Sequence, residues 1–233
     1  MKRKLSPSRT EAFRLLKVLS RVLESEVRRQ IIAEVQRHVA TDDPIFLASW
    51  LRNTYMAWLP NVPLCHTCGA VMEAGRYELI PGSATRFEPD ASHWTGYSSR
   101  PGRDPLCRKV ERYACLSCHR VRTVSRSNDV LEILVSRTGR CGEFAIAYTS
   151  ILLALGYHAR LMFTLLNDHL WTEVRIGSKW VPVDVAAEDV QRLIKDRFLF
   201  ERWGWKLGDL YAIEPGKMPL LDYSYRTTPR ERR

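Results

Sequence analysis

Apolar positions near the N-terminus repeat every four residues, which is typical of one face of a helix. The repeat comprises Leu15, Leu19, Leu23, Val27, Ile31, Val35 and Val39. Ser8 and Glu11 stand before it with the spacing of a capping box. The pattern predicts one amphipathic helix over residues 11–39. Its apolar stripe either packs on the protein's own core, which is the commoner use of such a stripe, or docks on a partner.

The chain is apolar on nearly all sides from Cys141 to Leu155 and is followed by Gly156. This pattern predicts a buried helix that begins at Cys141 and ends at the glycine. Three segments further on, 158–165, 169–176 and 179–185, are rich in β-branched and aromatic residues. We therefore expect an antiparallel sheet packed against the cysteine helix.

The dipeptide Gly177-Ser178 separates the last two of these strands and has the length of a two-residue hairpin turn. Counting outward from such a turn places Trp171 opposite Asp184. His169 is then the diagonal neighbour of Asp184 on the same face, where Cβ atoms lie about 7–8 Å apart. An imidazole and a carboxylate can meet across that distance. A turn of odd length would place the two residues on opposite faces.

Other segments have weaker patterns. Residues 44–59 predict a helical lead-in that ends at Pro60, and residues 128–136 predict a short capped helix before Cys141. Residues 82–105 are rich in Ser, Gly, Pro and Arg and predict a loop, whereas 189–200 predict a helix.

Cys141, His169 and Asp184 would offer a thiol, an imidazole and a carboxylate on neighbouring elements. A thiol is a weak nucleophile until its proton is withdrawn, and a histidine held by a carboxylate can do this at neutral pH. The N-terminus of a helix also favours a thiolate and can donate N–H groups to an oxyanion. These residues predict a hydrolase or acyl-transfer enzyme with a Cys-His-Asp triad.

Two Cys-x-x-Cys motifs are separated by 46 residues, and their members are Cys65, Cys68, Cys115 and Cys118. Paired motifs of this kind predict one tetrahedral Zn²⁺ site, and because four thiolates leave no open position the ion would be structural. A redox or disulfide pair is the alternative, which a reducing compartment disfavours. His66 and His119 could replace a cysteine as ligands but are expected to be surface residues, and Cys107 has no evident partner.

The composition, 45% hydrophobic and 27% charged over 233 residues, is that of an ordinary soluble protein. Its net charge of +10 lies almost wholly in residues 1–40 and 224–233. No aromatic platform accompanies these basic ends, so we favour a role in solubility over nucleic-acid binding. The basic start lacks an apolar h-region, and the longest apolar run, 145–155, is too short for a membrane span. We expect a cytoplasmic protein and leave nuclear entry open.

Several motifs between residues 50 and 188 follow one another in a characteristic order. They are Trp58 before Cys65-x-x-Cys68, Cys115-x-x-Cys118, Gly139-Arg-Cys141-Gly-Glu143, Asp168-His169-x-Trp171-x-Glu173 and Trp180-Val-x-Val-Asp184. Together they resemble the cytoplasmic peptide:N-glycanase family of the transglutaminase-like superfamily. The resemblance implies hydrolysis of the amide that joins an N-glycan to asparagine, which leaves aspartate. It also implies that the substrates are misfolded glycoproteins removed by endoplasmic-reticulum-associated degradation.

The resemblance assigns roles to the residues that match its motifs. Cys141 is the nucleophile, His169 the general base and then the general acid, and Asp184 the group that orients His169. The family's structural Zn²⁺ would be a single ion on the four cysteines. In some members an N-terminal helix docks on a ubiquitin-shuttle protein, and residues 11–39 could do likewise.

Four matched positions are candidates for substrate binding. Trp58 matches a tryptophan near the oxyanion, and Trp171 and Glu173 match positions that line the cleft for the first sugar. Glu143 is either a further substrate contact or a negative charge that suits the helix N-terminus. Phe144 departs from the family, which usually has tryptophan after Cys-Gly-Glu.

The expected fold is α+β, with a transglutaminase-like, papain-like core of a helix plus an antiparallel sheet. We expect an N-terminal helical segment at 1–45, a zinc lobe with its lead-in at 46–126, the catalytic core at 127–223 and a basic tail at 224–233. Two other functions remain open. One is a non-catalytic transglutaminase-like scaffold that binds nucleic acid or protein, and the other is a protease or transglutaminase with the same triad.

Overall fold

The computed structural model describes residues 7–60, 63–78, 86–89, 109–164, 169–187, 210–217 and 219–221. It divides into two compact units, Met1–Trp58 with Asp129–Arg233, and Leu59–Asn128. This division differs from the predicted segments, because the N-terminal helices share the first unit with the Cys141 helix and the sheet. The predicted helix at 189–200, Cys107 and the basic tail lie outside the described residues.

The described elements include five α-helices and eleven short strands. The helices are α1 (Pro7–Ser20), α2 (Ser25–Gln36), α3 (Pro44–Trp50), α4 (Val130–Ser136) and α5 (Cys141–Ala154). The strands of the first unit are β1 (Ala57–Trp58), β6 (Thr138–Gly139), β7 (Ala159–Thr164), β8 (His169–Ile176), β9 (Lys179–Val183), β10 (Leu210–Ile213) and β11 (Leu220–Leu221). Those of the second unit are β2 (Glu73–Glu78), β3 (Arg86–Pro89), β4 (Lys109–Ala114) and β5 (Val121–Arg126). None of the described helices has the length and apolar character needed to cross a membrane.

The single long helix predicted near the N-terminus is wrong. A 3-10 turn at Arg21–Leu23 and an extended Glu24 separate α1 from α2. A helix has 3.6 residues per turn, so side chains that repeat every four residues shift about 40° around the helix axis at each repeat. In one straight helix, the later apolar side chains would therefore point away from the core. The break realigns the two halves, burying Val22 and leaving Leu23 64% exposed. Ser8 lies within α1, which begins at Pro7, and not before it.

The apolar stripe of these helices is used inside the first unit. Every member except Leu23 is buried: Leu15, Leu19, Val27, Ile31, Val35 and Val39, the last of which lies beyond the end of α2. The Arg28 Nε–H also donates to the Ala154 carbonyl at 2.8 Å, where a cation suits the C-terminal end of α5. Self-packing of the stripe is confirmed.

The predicted core of helix and sheet is confirmed. Strands β11, β10, β7, β8 and β9 form one antiparallel sheet in that order. Helix α5 is buried on nearly every side, and its Thr149 hydroxyl hydrogen-bonds the Thr172 hydroxyl of β8 at 2.8 Å. The hairpin register is also as predicted, with Ile176 opposite Lys179 and Thr172 opposite Val183. Gly177 in the turn has a φ of 60°, which glycine adopts without strain.

Two segments that come before Cys141 in the chain are joined by a short parallel pair of strands. Helix α3 continues as a π-helical turn over Leu51–Tyr55, which leads into β1. Strand β1 pairs with β6, with Trp58 opposite Gly139. Helix α4, N-capped by the Asp129 carboxylate at 2.9 Å from Leu131 N, leads into β6 as predicted. This pairing therefore places Trp58 opposite Gly139, the residue two positions before Cys141.

The second unit is a small antiparallel sheet with strand order β3, β2, β4 and β5. Strand β3 corrects the prediction of a loop over 82–105, of which the rest lies outside the described part of the chain. The buried cluster of this unit comprises Cys65, Met72, Tyr113 and Cys115. Half of these buried side chains are cysteines of the predicted metal site.

Candidate active site and metal centre

Cys141 is the first residue of α5, and the backbone before it fixes where the helix begins. Arg140 is extended, and its N–H donates to the Glu143 carboxylate at 2.9 Å, which is one half of a capping box. The Phe144 N–H binds the Arg140 carbonyl at 3.0 Å, so the hydrogen-bond ladder of the helix starts at that residue. The Cys141 thiol therefore sits at the positive end of a buried helix.

Gly139 allows this turn to close. A Cβ atom at position 139 would lie 2.3 Å from the Glu143 Cβ and 3.4 Å from the Met56 Cε. The first of these contacts involves an atom close to the helix backbone, which cannot move without moving the first turn of α5. The Cys141 motif in the sequence contains this glycine, but only the structure shows that a larger residue here would clash with Glu143.

Gly139→Ala is expected to destabilise the protein by about 1–3 kcal/mol, the usual cost of overpacking. Because the clash displaces the first turn of α5, the reaction of Cys141 with iodoacetamide should also slow. Urea unfolding and mass-spectrometric alkylation rates measure the two effects. Gly177→Asn is the matched control: nothing lies within 4 Å of its added Cβ, and asparagine tolerates the turn. Wild-type stability in Gly139→Ala would contradict the packing argument.

His169 and Asp184 form the contact that the hairpin register predicts. The His169 Nε2 lies 2.7 Å from the Asp184 Oδ2. The other carboxylate oxygen, Oδ1, accepts the Ala186 N–H at 2.9 Å, which fixes the orientation of the carboxylate. Asp184 is only 2% exposed, so its charge is shielded from water and acts mainly on the imidazole.

Opposed influences act on the pKa of His169. Burial alone would lower it, because the side chain is 15% exposed and the charged form is desolvated. Hydrogen bonds with Asp184 and with Cys141, and the charges of both groups, outweigh burial and raise the pKa of His169 from 6.5 to about 10. The imidazole therefore holds its proton through the neutral pH range, in contact with both the thiol and the carboxylate.

This arrangement suits acyl transfer through a thiolate. An imidazolium in contact with a cysteine favours the ionised sulfur, which is the nucleophilic form. The same imidazolium can give its proton to a leaving amine once the sulfur has attacked. Asp184 keeps the ring oriented and stabilises its charge. The structure thus brings together the three residues for which the sequence predicts catalytic roles, Cys141, His169 and Asp184.

Trp58 lies beside this triad and is 38% exposed. Its ring stacks on Phe144 of the first turn of α5, with centroids 6.1 Å apart and an interplanar angle of 25°. The Arg52 guanidinium lies over both rings, 5.9 Å from the centroid of Trp58 and 5.6 Å from that of Phe144. Of the four predicted substrate-binding residues, Trp58 is the exposed one, whereas Glu143, Trp171 and Glu173 are buried.

The other predicted substrate-binding residues are buried and have contacts within the protein. Glu143 accepts the Arg140 N–H, and Trp171 packs in a cluster with Met162, Leu210 and Ala212. Glu173 pairs with Arg160 at 2.6 Å. The Glu143 contact fixes the start of α5, and the contacts of Trp171 and Glu173 join neighbouring strands of the sheet. Contact of Glu143, Trp171 or Glu173 with a substrate remains a prediction.

Two arginines near the site were missed by sequence reasoning. Arg160 lies opposite Glu173 on the neighbouring strand, and its guanidinium covers the Trp180 ring at 4.4 Å. Pairing the residues of β7 with those of β8 in the sequence would have placed Arg160 opposite Glu173, and opposite charges that face each other across strands attract. Arg52 had no such signal, since its contacts depend on a π-helical turn that no sequence pattern indicates.

The four predicted metal ligands converge in the second unit. The Cys65–Cys118 and Cys68–Cys115 sulfur pairs are each 3.4 Å apart, and the Cys68–Cys118 pair is 3.6 Å apart. All four sulfurs lie within 4.8 Å of one another. Sulfurs around a tetrahedral Zn²⁺ with 2.3 Å bonds would be about 3.8 Å apart, whereas a disulfide needs about 2.05 Å. The cluster can hold one metal ion and contains no disulfide.

The two cysteine motifs have the same backbone geometry. In each motif, the N–H of the first cysteine donates to the carbonyl of the residue five positions later, at 2.8 Å. The N–H of the residue four positions later donates back to the carbonyl of that first cysteine, also at 2.8 Å. Gly69 and His119 occupy equivalent left-handed positions, with φ of 73° and 58°. Backbone N–H groups of Cys68 and Thr67 lower the pKa of Cys65 to about 6, which favours the thiolate that a metal needs. His66 and His119 are exposed and stand outside the cluster.

Comparison with known proteins agrees with this geometry. Residues 100–185 match the model of the transglutaminase-like superfamily. The chain is 30% identical over 182 residues, 77% of its length, to the peptide-N(4)-(N-acetyl-beta-glucosaminyl)asparagine amidases of Macaca fascicularis and Homo sapiens. It is 29% identical over 193 residues, 81% of its length, to that of Gallus gallus.

The chain spans about a quarter of the length of these relatives, 24% of the two mammalian proteins and 26% of the avian one. The family-model match, residues 100–185, contains α5, strands β7 to β9 and the second cysteine motif. The chain therefore contains a transglutaminase-like domain, and over about three quarters of its length it is similar to these asparagine amidases.

Proposed function

We propose that this chain hydrolyses the amide bond between an N-linked glycan and its asparagine side chain. The observation that carries the proposal is the joint contact of Cys141, His169 and Asp184 in a transglutaminase-like core. The names of the relatives supply the substrate class, a glycosylated asparagine. The half-exposed ring of Trp58 beside the triad offers a flat apolar face of the kind that packs on the C–H face of a sugar.

The reaction follows from the protonation states of the triad. The Cys141 thiolate attacks the side-chain carbonyl carbon of asparagine, and the backbone N–H groups at the start of α5 face the developing oxyanion. His169 donates its proton to the leaving nitrogen, so the C–N bond breaks and the glycan departs as a glycosylamine. Water, deprotonated by His169, then hydrolyses the thioester. The products are an aspartate and the free thiol.

The cysteine cluster would hold one structural Zn²⁺. Cys65, Cys68, Cys115 and Cys118 fill a tetrahedral shell, so no position remains for water or substrate. The ion would supply stability to the second unit and take no part in amide hydrolysis.

The cellular setting is part of the same proposal. The substrates would be misfolded glycoproteins in endoplasmic-reticulum-associated degradation, and the protein would encounter them in the cytoplasm. A ubiquitin-shuttle partner of the N-terminal helices would have to use their solvent-facing side, because the apolar stripe is buried in the first unit.

The test is incubation of a denatured N-glycopeptide with the reduced, zinc-loaded protein in ¹⁸O-labelled water. Mass spectrometry should show loss of the glycan, conversion of asparagine to aspartate and ¹⁸O in the new carboxylate. Cys141→Ala and protein alkylated at Cys141 are the controls. An intact glycopeptide with folded, metal-loaded protein would refute the proposal. Backbone cleavage would indicate a protease, and transfer to an added amine would indicate a transglutaminase.

A further inference from the structure

Arg52 occupies an unusual position in the first unit. It lies in the π-helical turn Leu51–Tyr55, which adds one residue to the helical turn just before β1. The turn aims its guanidinium at the stacked rings of Trp58 and Phe144, which lie 5.9 and 5.6 Å from the Cζ atom. Two aromatic faces therefore hold the planar cation in one orientation.

The same guanidinium also makes a hydrogen bond on the far side of the site. The Arg52 Nε–H donates to the Ala187 carbonyl at 3.2 Å. Ala187 closes the tight turn that follows β9, and its own N–H binds the Asp184 carbonyl at 3.2 Å. The Ala186 N–H of that turn binds the Asp184 Oδ1 at 2.9 Å, which leaves Oδ2 for His169.

We propose that Arg52 is a positioning residue that aligns the Asp184 carboxylate with His169 by anchoring the turn Asp184–Ala187. Through that alignment it keeps the His169 ring in hydrogen-bond contact with the Cys141 sulfur. The inference deepens the proposed function, because it names a residue that prepares the nucleophile without touching substrate.

Two shape-matched substitutions separate the hydrogen bond from the stacked cation. In Arg52→Gln, the amide nitrogen stands at the same number of bonds from the Cα as the arginine Nε, so it can still donate to the Ala187 carbonyl. In Arg52→Met, the side chain has similar length and no donor. Both variants lose the cation over Trp58 and Phe144. A difference between the two variants therefore reports on the hydrogen bond to the turn.

The readout is the rate of iodoacetamide alkylation of Cys141 between pH 5 and 10, assigned by mass spectrometry of its peptide. We expect Arg52→Met to react about tenfold more slowly than wild type near pH 6, because a misaligned imidazolium favours the ionised sulfur less, and to converge with wild type at alkaline pH. Arg52→Gln should retain the wild-type pH profile. Arg29→Met, which alters an exposed arginine of α2 paired with Glu26, should also leave it unchanged.

Equal profiles for Arg52→Met and wild type would overturn the inference, and so would equal losses in the Met and Gln variants. If Arg52→Met fails to fold, Arg52→Gln still decides, because a folded Gln variant with an altered profile refutes the role of the hydrogen bond. Alkylation requires no glycopeptide. Failure of this inference is therefore distinguishable from failure of the proposed amidase reaction.

Discussion

Replacing Asp184 with asparagine is expected to lower the turnover of the proposed amidase about 10³- to 10⁴-fold, close to the residual level of Cys141→Ala. Asparagine removes the negative charge that helps to raise the pKa of His169 to about 10. Its amide can also donate toward the Nε2 atom and so select the wrong tautomer. Without the imidazolium, the Cys141 sulfur loses the cation that favours its ionised form.

The pH dependence gives this prediction a second readout. Since the pKa of His169 is raised from 6.5 to about 10, wild-type kcat/KM should persist through the neutral range and fall as the pH rises through about 10. The His169–Asp184 interaction likewise stabilises the fold fully below pH 6.5, and that contribution is lost as the pH rises through about 10. In Asp184→Asn, burial still lowers the pKa of His169 and only Cys141 still raises it, so the alkaline limb should move to lower pH.

Alkylation of Cys141 by iodoacetamide at pH 6 tests the same change without substrate. Wild-type protein should react at least tenfold faster than Asp184→Asn, and the two should converge near pH 9 as ordinary thiols ionise. Asp42→Asn, at an exposed position whose backbone carbonyl and not its carboxylate contacts Tyr157, is the matched control. An Asp184→Asn profile that coincides with the control would show that the carboxylate does not govern the pair.

The contact between His169 and Asp184 could be derived from the sequence because a strand has a fixed period. The two-residue turn at Gly177 sets the pairing of β8 with β9, and the period of two then decides which side chains share a face. The start of α5 was equally accessible, since Cys141 opens an apolar run that ends at a glycine. The convergence of the four cysteines followed from the spacing of their motifs.

Other features depend on interactions that no local pattern contains. The break between α1 and α2 arises because the stripe must meet a core whose direction is set by α5. The burial of Trp171 depends on β10, which is far along the chain. The contacts of Arg52 require a π-helical turn, and the packing of Gly139 requires the Glu143 side chain to fold back over it. Each of these is a tertiary constraint on a sequence that also permits other local structures.

Removal of the metal is expected to unfold the second unit. Among the described residues of this unit, the buried cluster contains Met72 and Tyr113 besides Cys65 and Cys115, so half of its members would lose their metal bond. Structural Zn²⁺ contributes about 10–16 kcal/mol of apparent binding free energy in zinc-finger peptides, which equals or exceeds the whole stability of an ordinary domain, about 5–15 kcal/mol. Chelation, or the substitution Cys115→Ser, should therefore abolish protease resistance across residues 59–128.

The stoichiometry and the controls decide between a metal site and a redox pair. Purified wild-type protein should contain one Zn²⁺ per chain, and Cys115→Ser should lose it, because three thiolates leave the tetrahedral shell open. Cys141→Ala removes a thiol outside the cluster and should retain both the metal and the protease resistance. Full protease resistance after complete removal of zinc under reducing conditions would contradict the prediction. Sulfurs already 3.4–3.6 Å apart repel one another as thiolates, so the apo cluster must either bind protons or separate, and both responses weaken the turns that carry it.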